Sequence, residues 1–200
     1  MINAIQTIRD EHRSIAAVLH ALKQLAKDAQ DSSVEPRFDV FRAMIYYIDQ
    51  YPERLHHPKE EKYLFSRVEQ RAPEAKPLLE DLRAEHVKGA QLIRDLEQAL
   101  VGLEVGWGGG PEVFLAAVDA YAAFHWSHMR KEEEQLLPIA QRTLSAEDWR
   151  EIDAGFAGND DPIADLREED FQKLFTRIVT LAPEPIGLGE RWKKTANLPS

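Results

Sequence analysis

The stretch "HHPKEEKYLF" at 56–65 returns as "HMRKEEEQLL" at 128–137, so His-x-x-Lys-Glu-Glu leads into apolar positions twice, 72 residues apart. A companion pair, "RDEHRSIA" at 9–16 and "RAEHVKGA" at 83–90, repeats Arg, Glu, His and a final Ala at an offset of 74. Imidazole nitrogens and carboxylate oxygens are the donors of thiolate-free metal sites. Glu60 and Glu132 stand four residues beyond His56 and His128. On a helix that spacing puts both groups on one face, one turn apart. The chemistry these residues suggest is therefore cation binding by His12, His56, Glu60, His86, His128 and Glu132. The charged residues around them, Lys59, Glu61, Lys131, Glu133 and Glu134, read as a solvated charge run.

Helices must position these donors, because three- and four-residue periodicity dominates the chain and no convincing strand alternation appears. A first segment, about 3–28, carries Ile5, Ile8, His12, Ile15, Leu19 and Leu22 on one stripe. A second, about 37–70, carries Phe41, Met44, Ile45, Ile48 and Tyr51 before His56, and Pro52 and Pro58 are expected to kink or restart it. A third, about 74–103, has prolines near its start, where they are tolerated, and a stripe through Leu79, Leu82, His86, Ile93, Leu96 and Leu100. "GWGGGP" is the clearest loop, and a fourth segment, about 111–141, runs through Phe114, Ala117, Tyr121, Phe124, His128 and Leu136. Four long amphipathic helices with short connections read as an all-α, up-down four-helix bundle over 1–143. Two additional C-terminal helices follow within 144–182, the first capped by Ser145 and ending at Gly155 or Gly158, the second ending before Pro183. Residues 183–200 read as a mobile tail.

Each histidine stands about 16–19 residues from the turn of its own hairpin, which at ~1.5 Å per residue places all four at one level, roughly 25 Å from the turns. Two carboxylates and four imidazoles buried in one layer without a cation would be expensive. Their convergence makes a site for two metal ions. His57 is rotated about 100° from His56 and is expected to point sideways. His125, one turn before His128, faces the site more directly. Both are candidates for an extra ligand or a donor behind the ligands.

The order His … His-x-x-x-Glu … His … His-x-x-x-Glu over about residues 3–141 resembles the hemerythrin-like (HHE cation-binding) family. The resemblance implies a non-haem di-iron centre, oxo- or hydroxo-bridged, with Glu60 and Glu132 bridging and His12, His56, His86 and His128 as terminal ligands. Oxygen and nitrogen donors without thiolate suit iron or manganese, and zinc could substitute. The chain departs from the oxygen carriers of that family, which use five terminal histidines. Ala16 and Ala90 stand four residues beyond His12 and His86, where a further histidine would be needed, and the second acid motif has Glu at the fourth position rather than Asp at the fifth. Open coordination positions favour reaction with, or sensing of, O2, NO or peroxide. The alternative is an iron-handling or iron-dependent interaction module without turnover. A ferritin-like site needs Glu-x-x-His on two helices. Glu53–His56 satisfies this, but His125 stands where the second glutamate should be.

Composition bounds the remaining possibilities. The chain has 200 residues, 44% hydrophobic and 30% charged, with a net charge of −10 and no cysteine. The acidic balance argues against nucleic acid as a partner. Disulfides and iron–sulfur clusters are excluded, which fits the cytoplasm. The N-terminal residues meet charge by Arg9 and contain no apolar signal core, and no stretch approaches the ~20 apolar residues of a membrane span. The expected state is a monomer or homodimer.

Overall fold

A computed structural model describes residues 4–107, 109–157 and 168–182, with the side chains of 168–172 left out. The expected tail at 183–200 and the side chain of Phe171 lie outside the described residues. Among the described residues the chain is all-α. The first helix is α1 (Ala4–Asp28). The second rod is a continuous helix of changing pitch: α2 (Phe38–Ile48), π1 (Asp49–His56), α3 (His57–Lys59), π2 (Glu60–Phe65) and α4 (Ser66–Arg71). After a short 3-10 turn at Pro73–Ala75 comes α5 (Lys76–Glu104). The fourth rod joins α6 (Gly110–Lys131), π3 (Glu132–Leu136) and α7 (Leu137–Thr143). α1 packs on α2 and α6, and α5 packs on α2 and α6, which closes the up-down bundle.

The prolines of the second rod do not break it. Proline has no N–H to donate and crowds the carbonyl four residues back, and a π turn relieves both faults by widening the helix. In π1, which contains Pro52, the His57 N–H reaches the Pro52 carbonyl, five residues back. The fourth rod does the same before Pro138, where the Leu137 N–H reaches the Glu132 carbonyl. π2 and π3 begin at Glu60 and Glu132, so the change of pitch recurs at the 72-residue offset of the motif itself.

Two hydrophobic clusters fill the bundle. One, toward the turns, contains Ile15, Leu19, Leu22, Phe41, Met44, Ile48, Ile93, Leu96, Phe114 and Val118. The other, toward the open end, contains Ile8, Leu64, Phe65, Leu79, Leu82 and Leu136. His12 falls between Ile8 and Ile15, and His86 between Leu82 and Ile93, so the polar layer sits where the clusters meet. A polar layer sealed by apolar side chains on both sides loses water, which raises the stakes of every unpaired group in it.

The helix after the bundle, α8 (Ala146–Ala157), starts at Ser145, whose Oγ accepts from the Asp148 N–H at 3.2 Å while the Asp148 carboxylate accepts from the Ser145 N–H at 2.9 Å. This is a capping box with Asp in the acidic role. Ile152 and Phe156 are buried in the second cluster, and Asp148 pairs with Arg71 through two bonds of 3.0 and 3.1 Å. Gly155 does not end α8. It lies under Tyr63, where a Cβ would meet the ring at 2.5 Å, so only glycine permits this approach. α9 (Glu168–Leu181) packs on α2, with Ile178 buried in the first cluster and Phe175 6.1 Å from the Tyr47 ring.

Candidate metal centre

Each of the four rods brings a histidine of the repeated segments into the polar layer, and the second and fourth rods bring one carboxylate each. His12, His56, Glu60 and Glu132 offer donor atoms that all lie within 4.8 Å of one another, and so do Glu60, His86, His128 and Glu132. The two groups share both carboxylates. All six side chains are buried, Glu60 and Glu132 completely.

The shorter separations match those of donors around one ion. His12 Nε2 lies 3.2 Å from His56 Nε2 and 3.3 Å from Glu132 Oε2. His56 Nε2 is 3.5 Å from Glu60 Oε1, and His128 Nε2 is 3.4 Å from Glu132 Oε1. His86 Nε2 stands 3.9 Å from both Glu60 Oε2 and Glu132 Oε1. Ligands at ~2.1 Å from one cation are roughly 3.0–3.4 Å apart in octahedral or tetrahedral arrangements. Both oxygens of Glu60, both of Glu132, and Nε2 of His86 and His128 have no hydrogen-bond partner. Buried polar atoms are rarely left so, and a cation would satisfy all six.

The far nitrogen of every one of these imidazoles is held by a carboxylate. His56 Nδ1 donates to Glu11 Oε2 at 2.6 Å, and His128 Nδ1 to Glu85 Oε2 at 2.9 Å. His86 Nδ1 donates to Glu61 Oε1 at 2.6 Å, and His12 Nδ1 to Glu133 Oε1 at 2.9 Å. An Nδ1–H committed to a carboxylate leaves the Nε2 lone pair directed into the layer and raises its basicity, as metal-binding histidines require. Glu61 and Glu133 are thus not a purely solvated run, and Lys59 is buried, whereas Glu134 is exposed as expected. The four orienting glutamates adjoin donors in sequence: Glu11 and Glu85 precede His12 and His86, and Glu61 and Glu133 follow Glu60 and Glu132. The signal was the repeat itself, which preserves those glutamates at the same offsets.

Electrostatics express the same want of a cation. Burial pushes the Glu60 carboxyl well above the usual range, and the charge of Glu132 pushes it further. Burial also pushes Glu132 up, but His128, His12 and His86 outweigh it and hold Glu132 well below. Without metal one carboxyl must keep its proton, because two adjacent buried carboxylates cannot both ionise.

His57 is turned inward rather than sideways. It is buried, stacks on His86 at 4.1 Å and 7°, and forms a third donor group with His86 and His128. His125 is also fully buried, but its Nε2 faces Glu53 Oε1 at 3.3 Å. A cleft of about 620 Å³ between the second rod and α5 reaches His57 and His86 and has Glu61, Lys62 and Arg83 along its sides.

An all-α bundle with paired, carboxylate-sharing His and Glu groups across its four rods defines a cation-binding bundle protein. The hemerythrin HHE cation-binding domain matches residues 3–140, and the chain belongs to that family. No curated protein and no solved structure matches it. No described helix is long and apolar enough to cross a membrane.

Proposed function

We propose that the chain binds two iron ions, one at His12 and His56 and the other at His86 and His128, with Glu60 and Glu132 shared, and that this pair reacts with or senses O2, NO or peroxide. The observation that carries the reading is the double use of two buried carboxylates whose four oxygens have no hydrogen-bond partner. Two histidines and two shared carboxylates leave each ion with open coordination positions, and the cleft beside His86 leads a small molecule to one of them. Iron supplies the redox chemistry when bound, and the protein's part is to fix the donors, orient the imidazoles through four carboxylates and keep the layer dry.

Metal analysis with optical spectra of protein purified with and without air tests this. The expected result is two iron ions per chain and near-ultraviolet charge-transfer bands that change on exposure to O2, NO or peroxide. A stoichiometry of one, or a bound pair inert to all three, would overturn it.

One contact favours the alternative of an iron-dependent interaction module. α8 packs on π2, the segment that begins with Glu60, with Tyr63 over Gly155, and an ion pair joins Glu151 of α8 to Arg67 of α4 just beyond it. Occupancy could reach the C-terminal helices by that route. Hydrogen exchange in α8 that slows on metal binding, with no reaction toward the small molecules, would favour the module.

A further inference from the structure

Tyr121, His57 and His125, all buried, and the half-buried Glu53 form a second polar cluster on the side of the bundle turns, with His57 about one helical turn from Glu60 and Tyr121 about three from Glu132. Holding the metal pair does not require it. Tyr121 is fully buried, and its hydroxyl donates to Glu53 Oε1 at 3.2 Å. The same carboxylate faces His125 Nε2 and His57 Nδ1, each at 3.3 Å. α5 makes room for it at Gly89, where a Cβ would stand 2.8 Å from Glu53 Oε1. Packing alone would be better served by apolar side chains, since a buried carboxylate is costly. The rings are also contiguous. Tyr121 lies 4.4 Å from His125, His125 lies 5.8 Å from His57 and 6.2 Å from His128, and His57 stacks on His86 at 4.1 Å. An aromatic path therefore runs from one phenol to both imidazoles of the second metal position.

We propose that Tyr121 is a one-electron donor to the metal pair, with Glu53 taking the phenol proton. The inference rests on the reading above, with hydrogen peroxide as the oxidant. Peroxide takes up two electrons and two solvent protons and leaves as two water molecules. One electron comes from the Tyr121 ring and the other from a pair that holds one iron(II) and one iron(III), so no iron(II) is left to reduce the radical. The phenol proton passes along the existing hydrogen bond to Glu53 Oε1, leaving a neutral phenoxyl radical and a protonated Glu53.

The surroundings suit this step. Burial and the charge of Glu53 push ionisation of the phenol well up, so the hydroxyl keeps its proton until the ring is oxidised. Glu53 Oε1 already accepts from the hydroxyl, so the proton has an acceptor in place.

The test uses the full chain loaded with iron and poised with half of it as iron(III) without air, mixed with one equivalent of hydrogen peroxide, frozen and read by electron paramagnetic resonance, with optical spectra in parallel. The expected result is a free-radical signal that narrows when ring-deuterated tyrosine is incorporated. The chain has five tyrosines, so the assignment depends on Tyr121→Phe, which should keep its iron and lose the signal. Glu53→Gln keeps a hydrogen-bonding group without a proton acceptor and should lower the radical yield. A signal that survives Tyr121→Phe overturns the inference. So do optical bands that change with peroxide in the absence of any radical, and that outcome leaves the proposed function standing. Bands that do not respond to peroxide overturn the inference together with the peroxide reading.

Discussion

His12 and His56 bring their Nε2 atoms to 3.2 Å of one another, each with a shared carboxylate oxygen within 3.5 Å, whereas His86 Nε2 stands 3.9 Å from both carboxylates. The first half of the layer is also covered: α8 packs on α1 and π2, and α9 on α2. The second half has His57 stacked on His86 and a cleft beside it. Donors repeat between the halves, but their neighbours do not. His57 corresponds to Met129 and Glu53 to His125 at the 72-residue offset, so a repeated motif builds two unequal positions. The repeated side chains make the halves alike in chemistry, and their surroundings make them unlike in access.

The comparison can be broken most severely at its shared members. Glu60→Ala and Glu132→Ala should each reduce metal content from two ions per chain to nearly none, because each carboxylate serves both positions. Retention of one ion by either variant, measured by elemental analysis, would show that the carboxylates are not shared. His12→Ala and His86→Ala should instead each leave about one ion, since each removes a donor from one position only.

Removing an orienting carboxylate should cost less. Glu11→Gln and Glu85→Gln, read by competition with a chelator, should each weaken binding roughly 10–100-fold, the usual effect of losing the partner of a ligating imidazole. Glu11→Gln should act on the first position and Glu85→Gln on the second. Equal effects on both ions would mean that the halves are coupled more tightly than their geometry indicates.

Truncation after Thr143 removes the cover of the first half alone. Ile152, Phe156 and Ile178 are buried there, and each such side chain contributes about 1.5–3 kcal/mol of burial. The shortened chain should melt lower, tend to aggregate, and lose the His12/His56 ion faster than the other. Identical release rates would show that α8 and α9 do not support the first position.

The smallest effect concerns pH, where the halves should behave alike. Burial lowers the His12 and His86 pKa values, but in each case Glu132 outweighs burial, helped by Glu133 at His12 and Glu61 at His86, and the net shift is upward. Protons compete with the cation for Nε2, so binding is strongest above those raised values and weakens as pH falls through them. One histidine in each half titrates early, and both ions should leave in a single step on acidification. Two separated steps would place a difference between the halves that these imidazoles do not carry.

Most of the site was legible because its signal is local and doubled. His56 with Glu60 and His128 with Glu132 are paired by helical spacing, and the heights of His12 and His86 follow from the rise per residue and the positions of the turns. The orienting role of Glu61 and Glu133 was less legible, since half-exposed charged residues in "KEE" look like any solvated helix face until a neighbouring helix presents its histidine. The orientation of His57 was misjudged for a different reason. A fixed 100° step assumes uniform α-helix, and the π turns on either side of His57 change the pitch.

By itself the sequence determined the all-α bundle, the repeated His and Glu segments, and the height at which those six side chains meet, because each depends on periodicity and rise along a single chain segment. Tertiary structure decided which carboxylate holds which imidazole, that the prolines widen the rods instead of breaking them, and that Gly155 continues α8 beneath Tyr63. It also decided that Tyr121, Glu53, His57 and His125 meet. These depend on the distance between helices and on local pitch, which arise only when side chains of different rods compete for the same space.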